Sequence, residues 1–368
     1  MIEIVNFING RHIRATGEGN LFSVNPATEE RIAHVNISSP VDVDTAVQAA
    51  RAAYTQGPWP RMAVEERAAY LHMIADVLED NLVLFAQHEC EDTGFLSKMC
   101  LHGHLPRAIE HFHFFAEEGK RFFGDAIPVG DAYINFTHHA PLGVVAIMTP
   151  WNGPLAVSSI NLAAALIAGN TVVLKPSELA PITVSLLGQI FEEVGLPEGV
   201  VNLVHGAGQP TGQALIQHPG IDLLCFIGGT QVGKEVLRYS ANTVRRSLLE
   251  LGGKSPTVVL ADADIDAALD GALVSAFSSN GQVCTAGSRI IVEQPIAEAF
   301  SRRFIERTQH IRVGDPFDET SEIGPMISAV HRERMLEAIA QAQQAGASRS
   351  KPENRWAYTG RTPAGFLH

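Results

Sequence analysis

The sequence predicts an α/β fold: a parallel sheet with helices on both faces, followed by a second α/β segment. Two observations carry this. From 142 to 253, short β-branched apolar runs alternate with helix-length segments, the order that sets parallel strands side by side under helices. The stretch 141–174 has no charged residue and is long enough to span a bilayer. It is interrupted, however, by Pro150, Asn152, Gly153, Pro154, Asn161 and Gly169-Asn170, which lipid would leave unsatisfied. It therefore divides into a strand 144–148, a loop 149–154, a helix 155–167 and a strand 171–174. This is a βαβ unit whose strands are buried on both faces.

The remaining elements follow in chain order. Turn signals stand at Asn9-Gly10, Gly17-Glu18-Gly19 and Asn25-Pro26. Apolar residues at i, i+3, i+4 spacing predict helices over 43–54 and 64–85, and 105–123, rich in His and Phe, reads as another. Residues 124–141, with Pro128, Gly130 and Pro141, read as an extended arm. Helices are expected at 182–194, 210–217 and 232–241, and strands at 200–204 and 223–227. The second segment has strands at 257–260 and 289–292 and helices at 265–278 and 296–310. After Ser348 periodicity fades, and Arg349, Lys351, Arg355 and Arg361 face the single acid Glu353, as in a surface loop or an altered end.

Composition narrows the function. At roughly 150 residues per domain, 368 residues make two to three domains. With 46% hydrophobic and 18% charged residues, these are packed domains rather than disordered chain. Asp and Glu number 40 against 27 Lys and Arg, with no basic run, so a nucleic-acid partner is not expected. Cys90, Cys100, Cys225 and Cys284 are too few and scattered for a disulfide framework. The amino terminus lacks a basic segment leading into a long apolar core. A soluble, cytoplasmic protein without membrane partners is the expectation.

Several segments invite chemistry. A strand, a glycine-rich turn and a helix start run from Leu223 to Glu235 through Gly228, Gly229, Thr230 and Gly233, a place where backbone N–H groups suit a pyrophosphate. Gly228, Gly233 and Lys234 nearly match a P-loop, and 258–262 imitates the apolar strand ending in Asp, but Glu235 stands where a magnesium-binding hydroxyl is needed. A dinucleotide cradle and a purely structural turn remain as readings. The second glycine cluster, Gly206 to Gly212, reads as a tight βα turn.

Lys175 and Glu178 fall just past a strand end, where open α/β sheets bind ligands; a surface ion pair is the plain alternative. A carboxylate accepting from a ribose 2′-hydroxyl would favour NAD over NADP. Cys284 sits among small and polar neighbours, and a thiol nucleophile needs a base; Glu250, ending an apolar run, is a candidate. Cys100, His102, His104, His111 and His113 suggest zinc, yet His111 and His113 are two apart on a helix and point to different faces, so no metal is expected.

Together Pro150-Trp-Asn-Gly-Pro-Leu155, Lys175-Pro-Ser-Glu178, Phe226-Ile-Gly-Gly-Thr-Gln-Val-Gly233, Leu249-Glu-Leu-Gly-Gly-Lys-Ser-Pro256 and Gly281-Gln-Val-Cys284 resemble the NAD(P)-dependent aldehyde dehydrogenase family, in order and over nearly the whole chain. The resemblance implies a Rossmann-type NAD-binding domain (1–123 and 142–253), an oligomerisation arm (124–141) and a catalytic domain (254–368). It implies oxidation of an aldehyde by NAD, with Cys284 as nucleophile, Asn152 as oxyanion donor and Glu250 as general base. Trp151, Lys175, Ser177, Glu178, Gly228, Gly229, Thr230, Gly233 and Leu251 would contact the coenzyme, and a homodimer or homotetramer is implied.

The sequence also departs from the family pattern. Ile227 and Gly229 stand where Thr and often Ser are usual, and Gly153 replaces a large apolar residue. The family's Glu-x-Phe-Gly-Pro motif, which holds the nicotinamide ribose, is missing, so the catalytic domain is expected to be cut short. A fragment that binds nucleotide or partners without turnover is the alternative.

Overall fold

The computed structural model describes residues 1–348; Arg349, Lys351, Arg355 and Arg361 lie outside the described residues. The main sheet contains β1 (Asn6–Ile8), β2 (Arg11–Ile13), β3 (Val144–Met148), β4 (Thr171–Lys175), β5 (Val201–Leu203), β6 (Leu223–Gly228) and β7 (Arg246–Leu251). Their spatial order is β7-β6-β3-β4-β5-β1-β2. Strands β7 to β5 are parallel, while β1 and β2 form an antiparallel hairpin at one edge. At the hairpin turn Asn9 and Gly10 both have positive φ, 52° and 73°, which matches the right-handed twist of the strands.

Every residue of β3 and β4 is buried, so helices must cover both faces. They are α1 (Pro40–Thr55), α2 (Val64–Asp80), α3 (Leu82–Thr93), α4 (Leu105–Gly119), α5 (Pro154–Ile167), α6 (Ile182–Glu193) and α7 (Thr230–Thr243). Alternate side chains serve opposite cores: Val145 and Ile147 join the layer containing Leu71, Phe112 and Leu162. Val144 and Ala146 instead pack with Val43, Ala46 and Val47 of α1 and Val236 of α7. Helix α1 starts three residues earlier than its apolar spacing suggests, because Ser39 and Asp42 form a reciprocal capping box.

The single helix expected over 64–85 is in fact two. Asn81 leaves helical geometry (φ −107°, ψ 15°), and its side-chain amide donates to the Val77 carbonyl, competing with the helix ladder. The helix expected over 105–123 ends at Gly119. Residues 126–127 and 135–136 pair as a short antiparallel ribbon that leaves Tyr133, Ile134 and Phe136 exposed.

The second α/β segment pairs β8 (Pro256–Val259) with β9 (Arg289–Val292) in parallel, under α8 (Ile265–Phe277) and α9 (Gln294–Gln309). Val259, Leu269, Ala272 and Phe300 are its buried core. Helix α10 (Ala329–Gln344) escapes apolar periodicity; its readable signal is Ser328, whose hydroxyl caps the His331 N–H. Among the described residues no helix is long and apolar enough to cross a membrane.

Candidate active site

The strand order reverses between β3 and β6, and the crevice beyond their carboxyl ends is where open α/β sheets take ligands. Trp151, Asn152 and Gly153 form the loop leaving β3. Gly153 has φ 91°, a conformation that side chains disfavour, and Pro154 then opens α5. The Asn152 Nδ2 donates to the carbonyl of Gln282 at 2.8 Å. That contact binds the β3 loop to the chain two residues before Cys284. An amide has two N–H groups, so the second stays available to another acceptor.

The cysteines separate by burial. Cys90, Cys100 and Cys225 are buried and Cys284 is exposed. Burial pushes the Cys90 and Cys225 thiols up to about 12 and raises Cys100 as well, which suppresses their thiolates. Glu250 stands one residue before the end of β7, opposite Ile227 of β6, is exposed, and adds its charge to the forces holding Cys225 protonated. The structure thus joins Asn152 to the Cys284 loop directly and sets Glu250 at the same sheet edge, two strands from β3.

Lys175 ends β4. Its buried ammonium donates to the Pro176 carbonyl at 3.0 Å and lies 3.8 Å from the Glu178 carboxylate. Burial draws the Lys175 pKa down, and Glu178 opposes that shift. The Ser177 hydroxyl accepts from the Leu179 N–H and shapes the turn between them.

Helix α7 begins at Thr230 after Gly229, and no side chain caps its first N–H groups. A Cβ on Gly229 would meet nothing, so the approach to those groups is open. A Cβ on Gly233 would come within 2.8 Å of Leu251, so the glycine allows α7 to pack closely on β7. An open helix N-terminus suits a pyrophosphate, and a buried Lys with a nearby carboxylate suits a ribose; these residues fit a dinucleotide. The P-loop reading fails on backbone grounds: Thr230 is already helical, so Lys234 and Glu235 lie inside a helix rather than at the end of a phosphate loop.

The histidines of the zinc reading go to separate partners. His111 meets Ser159 at 2.9 Å, His113 meets His72 at 2.8 Å, and His104 meets Ser279 at 3.2 Å. Sequence reasoning missed Glu89, Ser279 and Gln282, which lie against the site's loops. Ser279 and Gln282 carried a signal, standing within the small and polar segment before Cys284; Glu89 carried none.

Comparisons with known proteins bear on the family and the fold. A family model described as the aldehyde dehydrogenase family matches residues 13–355. The chain is 39% identical over 353 residues to 2-hydroxymuconic semialdehyde dehydrogenase of Pseudomonas sp. (strain CF600), covering 95% of this chain and 72% of that protein. It is 41% identical over 346 residues to retinaldehyde dehydrogenase 3 of Mus musculus, covering 93% and 67%. The structure of an aldehyde dehydrogenase from Bacillus cereus in complex with NAD+ superposes with TM-score 0.91 at 38% identity, covering 94% of this chain and 70% of that one.

Proposed function

Since the chain belongs to the aldehyde dehydrogenase family, we propose that it oxidises an aldehyde to the carboxylic acid with NAD, through a covalent adduct on Cys284. The observation that supports this reading is the Asn152 amide bonded to the Gln282 carbonyl, two residues before the exposed Cys284. The Bacillus cereus relative, solved with NAD+, supports the choice of coenzyme.

The Cys284 thiolate forms a bond to the aldehyde carbon, and the carbonyl π pair moves onto oxygen. The second N–H of Asn152 and the Cys284 backbone N–H donate to that oxyanion; one such donor is worth about 3 kcal/mol in a transition state. Bound NAD supplies a hydride acceptor at that carbon. Glu250 takes a proton from water, the water oxygen adds to the resulting thioester, and the C–S bond breaks to return the thiolate. Because Glu250 is retained, water rather than a thiol is the acyl acceptor.

Lys175, Ser177 and Glu178 would hold the adenosine ribose, and the carboxylate disfavours a 2′-phosphate. Gly228, Gly229, Thr230 and Gly233 would form the pyrophosphate turn, with Trp151 and Leu251 flanking the coenzyme. Backbone N–H groups replace the hydroxyl that Ile227 lacks. We assign 1–123 and 142–253 to coenzyme binding, 124–141 to homo-oligomer assembly and the segment from 254 to the nucleophile, with Asn152 and Glu250 reaching the chemistry from the coenzyme-binding part.

NADH formation with a panel that includes 2-hydroxymuconic semialdehyde and retinaldehyde tests the proposal. Cys284→Ala should lose roughly 10^4-fold or more while still binding NADH. Glu250→Gln should lose roughly 10^2-fold or more and accumulate the acyl-enzyme. NADH binding by the wild type without turnover on any aldehyde would establish the non-catalytic reading instead.

A further inference from the structure

Below the site, a buried carboxylate points at the nucleophile loop through one histidine. Glu89 of α3 is fully buried. Its Oε2 accepts from the Leu155 N–H at 3.4 Å, in the first turn of α5, and from the Thr183 hydroxyl at 3.3 Å. Its Oε1 faces the Nδ1 of His104 at 3.4 Å without a hydrogen bond between them, and among the described residues both atoms are buried with no hydrogen-bond partner. The His104 ring stands edge-on to Phe95, with centroids 5.1 Å apart at 76°, and its Nε2 meets the Ser279 hydroxyl at 3.2 Å.

Ser279 is an unusual anchor. It and Asn280 have φ of 48° and 58°, and consecutive left-handed residues outside glycine persist only where the surroundings hold them. Asn280 is held by the carbonyls of Gly94 and Pro325, to which its amide donates, and by the Gly324 N–H, which its oxygen accepts. Ser279 has His104. Both ties come in part from residues 89–104, and the same Glu89 touches α5 three residues after Asn152.

We propose that Glu89 and His104 are positioning residues that clamp Ser279, and so set the Cys284 loop against Asn152 through one network that runs from a buried carboxylate to a half-buried turn. The inference rests on Cys284 as the nucleophile. The Glu89 carboxylate backs the imidazole by charge at 3.4 Å, the imidazole holds the strained turn through its hydrogen bond to Ser279, and the turn fixes where the thiol stands.

His104→Phe keeps an aromatic ring against Phe95 and removes both nitrogens; Ser279→Ala removes the other end of the contact. In each, amide hydrogen exchange over 279–284 should accelerate roughly fivefold, and kcat should fall roughly two- to tenfold, the worth of one net hydrogen bond. KM and the Kd for NADH should not change, and His104→Gln should recover part of kcat. Wild-type exchange and kcat in Ser279→Ala would overturn the clamp, as would a lowered Tm in His104→Phe with both readouts unchanged. If His104→Phe does not fold, Ser279→Ala decides alone. A wild type without turnover would refute the proposed reaction, while the exchange measurement would still judge the clamp.

Discussion

Strands β3 and β4 are buried at every position, whereas β8 and β9 alternate between covered and exposed residues. The main sheet has helices on both faces; the second segment has α8 and α9 on one, and Val258, Leu260 and Ile291 remain 60%, 57% and 51% exposed. Parallel strands ordinarily need cover on both faces. The difference teaches that the two tasks rest on unequal foundations. The candidate coenzyme cradle stands on a thick core, while Cys284 stands on a thin one and borrows rigidity through Asn152, His104 and Asn280.

Core truncations should show the largest contrast. Ile147→Ala, beneath the main sheet, should cost about 3–4 kcal/mol, and Leu269→Ala in the second segment about 2 kcal/mol, because its thinner surroundings can collapse into the space. Urea unfolding of the two variants measures both, and a greater loss for Leu269→Ala would break the comparison.

A smaller effect should come from a weakness within the thick region itself. Burial pushes the Asp92 carboxyl up to about 7 from its ordinary 3.8, against the hydrogen bonds from Ser23 and the Ile182 N–H. The folded chain therefore holds this proton more tightly than the unfolded chain. Its contribution to stability is complete below pH 3.8 and is lost as pH rises through about 7. Asp92→Asn should consequently gain on the wild type as pH rises from about 4 to about 7, by a few degrees in Tm, and the difference should level off above pH 7. A pH-independent difference between the two melting curves would refute the titration of Asp92.

The least change is expected on the open face. Val258→Thr should alter stability by no more than about 0.5 kcal/mol, since the side chain is already in water. A loss above that value, especially one that depends on protein concentration, would mean that another chain covers this face in solution.

Much of the architecture was readable because its signals are local. Breakers within 141–174 separate β3, α5 and β4, and each predicted strand of the main parallel run is present, with ends shifted by a residue or two. The misses were also physical. Asn81 breaks a helix by a side-chain hydrogen bond that apolar spacing does not register, and α10 has a cap but no buried stripe. At the site, Lys175 and Glu178 were visible as strand-end residues and Cys284 through its small neighbours, while the part of Asn152 came only from the family resemblance. Glu89 and His104 were not, since one fell outside every motif and the other read as part of a metal cluster.

Periodicity, turn residues and strand-end placement were enough for the α/β class and the βαβ order, because each depends on neighbours a few positions apart, while the candidate nucleophile rested chiefly on the family resemblance. Only the packed chain decided which cysteine thiols are suppressed, that Asn152 reaches the Gln282 carbonyl across 130 positions, and that His104 meets Ser279 across 175. Those outcomes depend on where whole helices come to rest against the sheet, and burial, contact and pKa take their values from that arrangement.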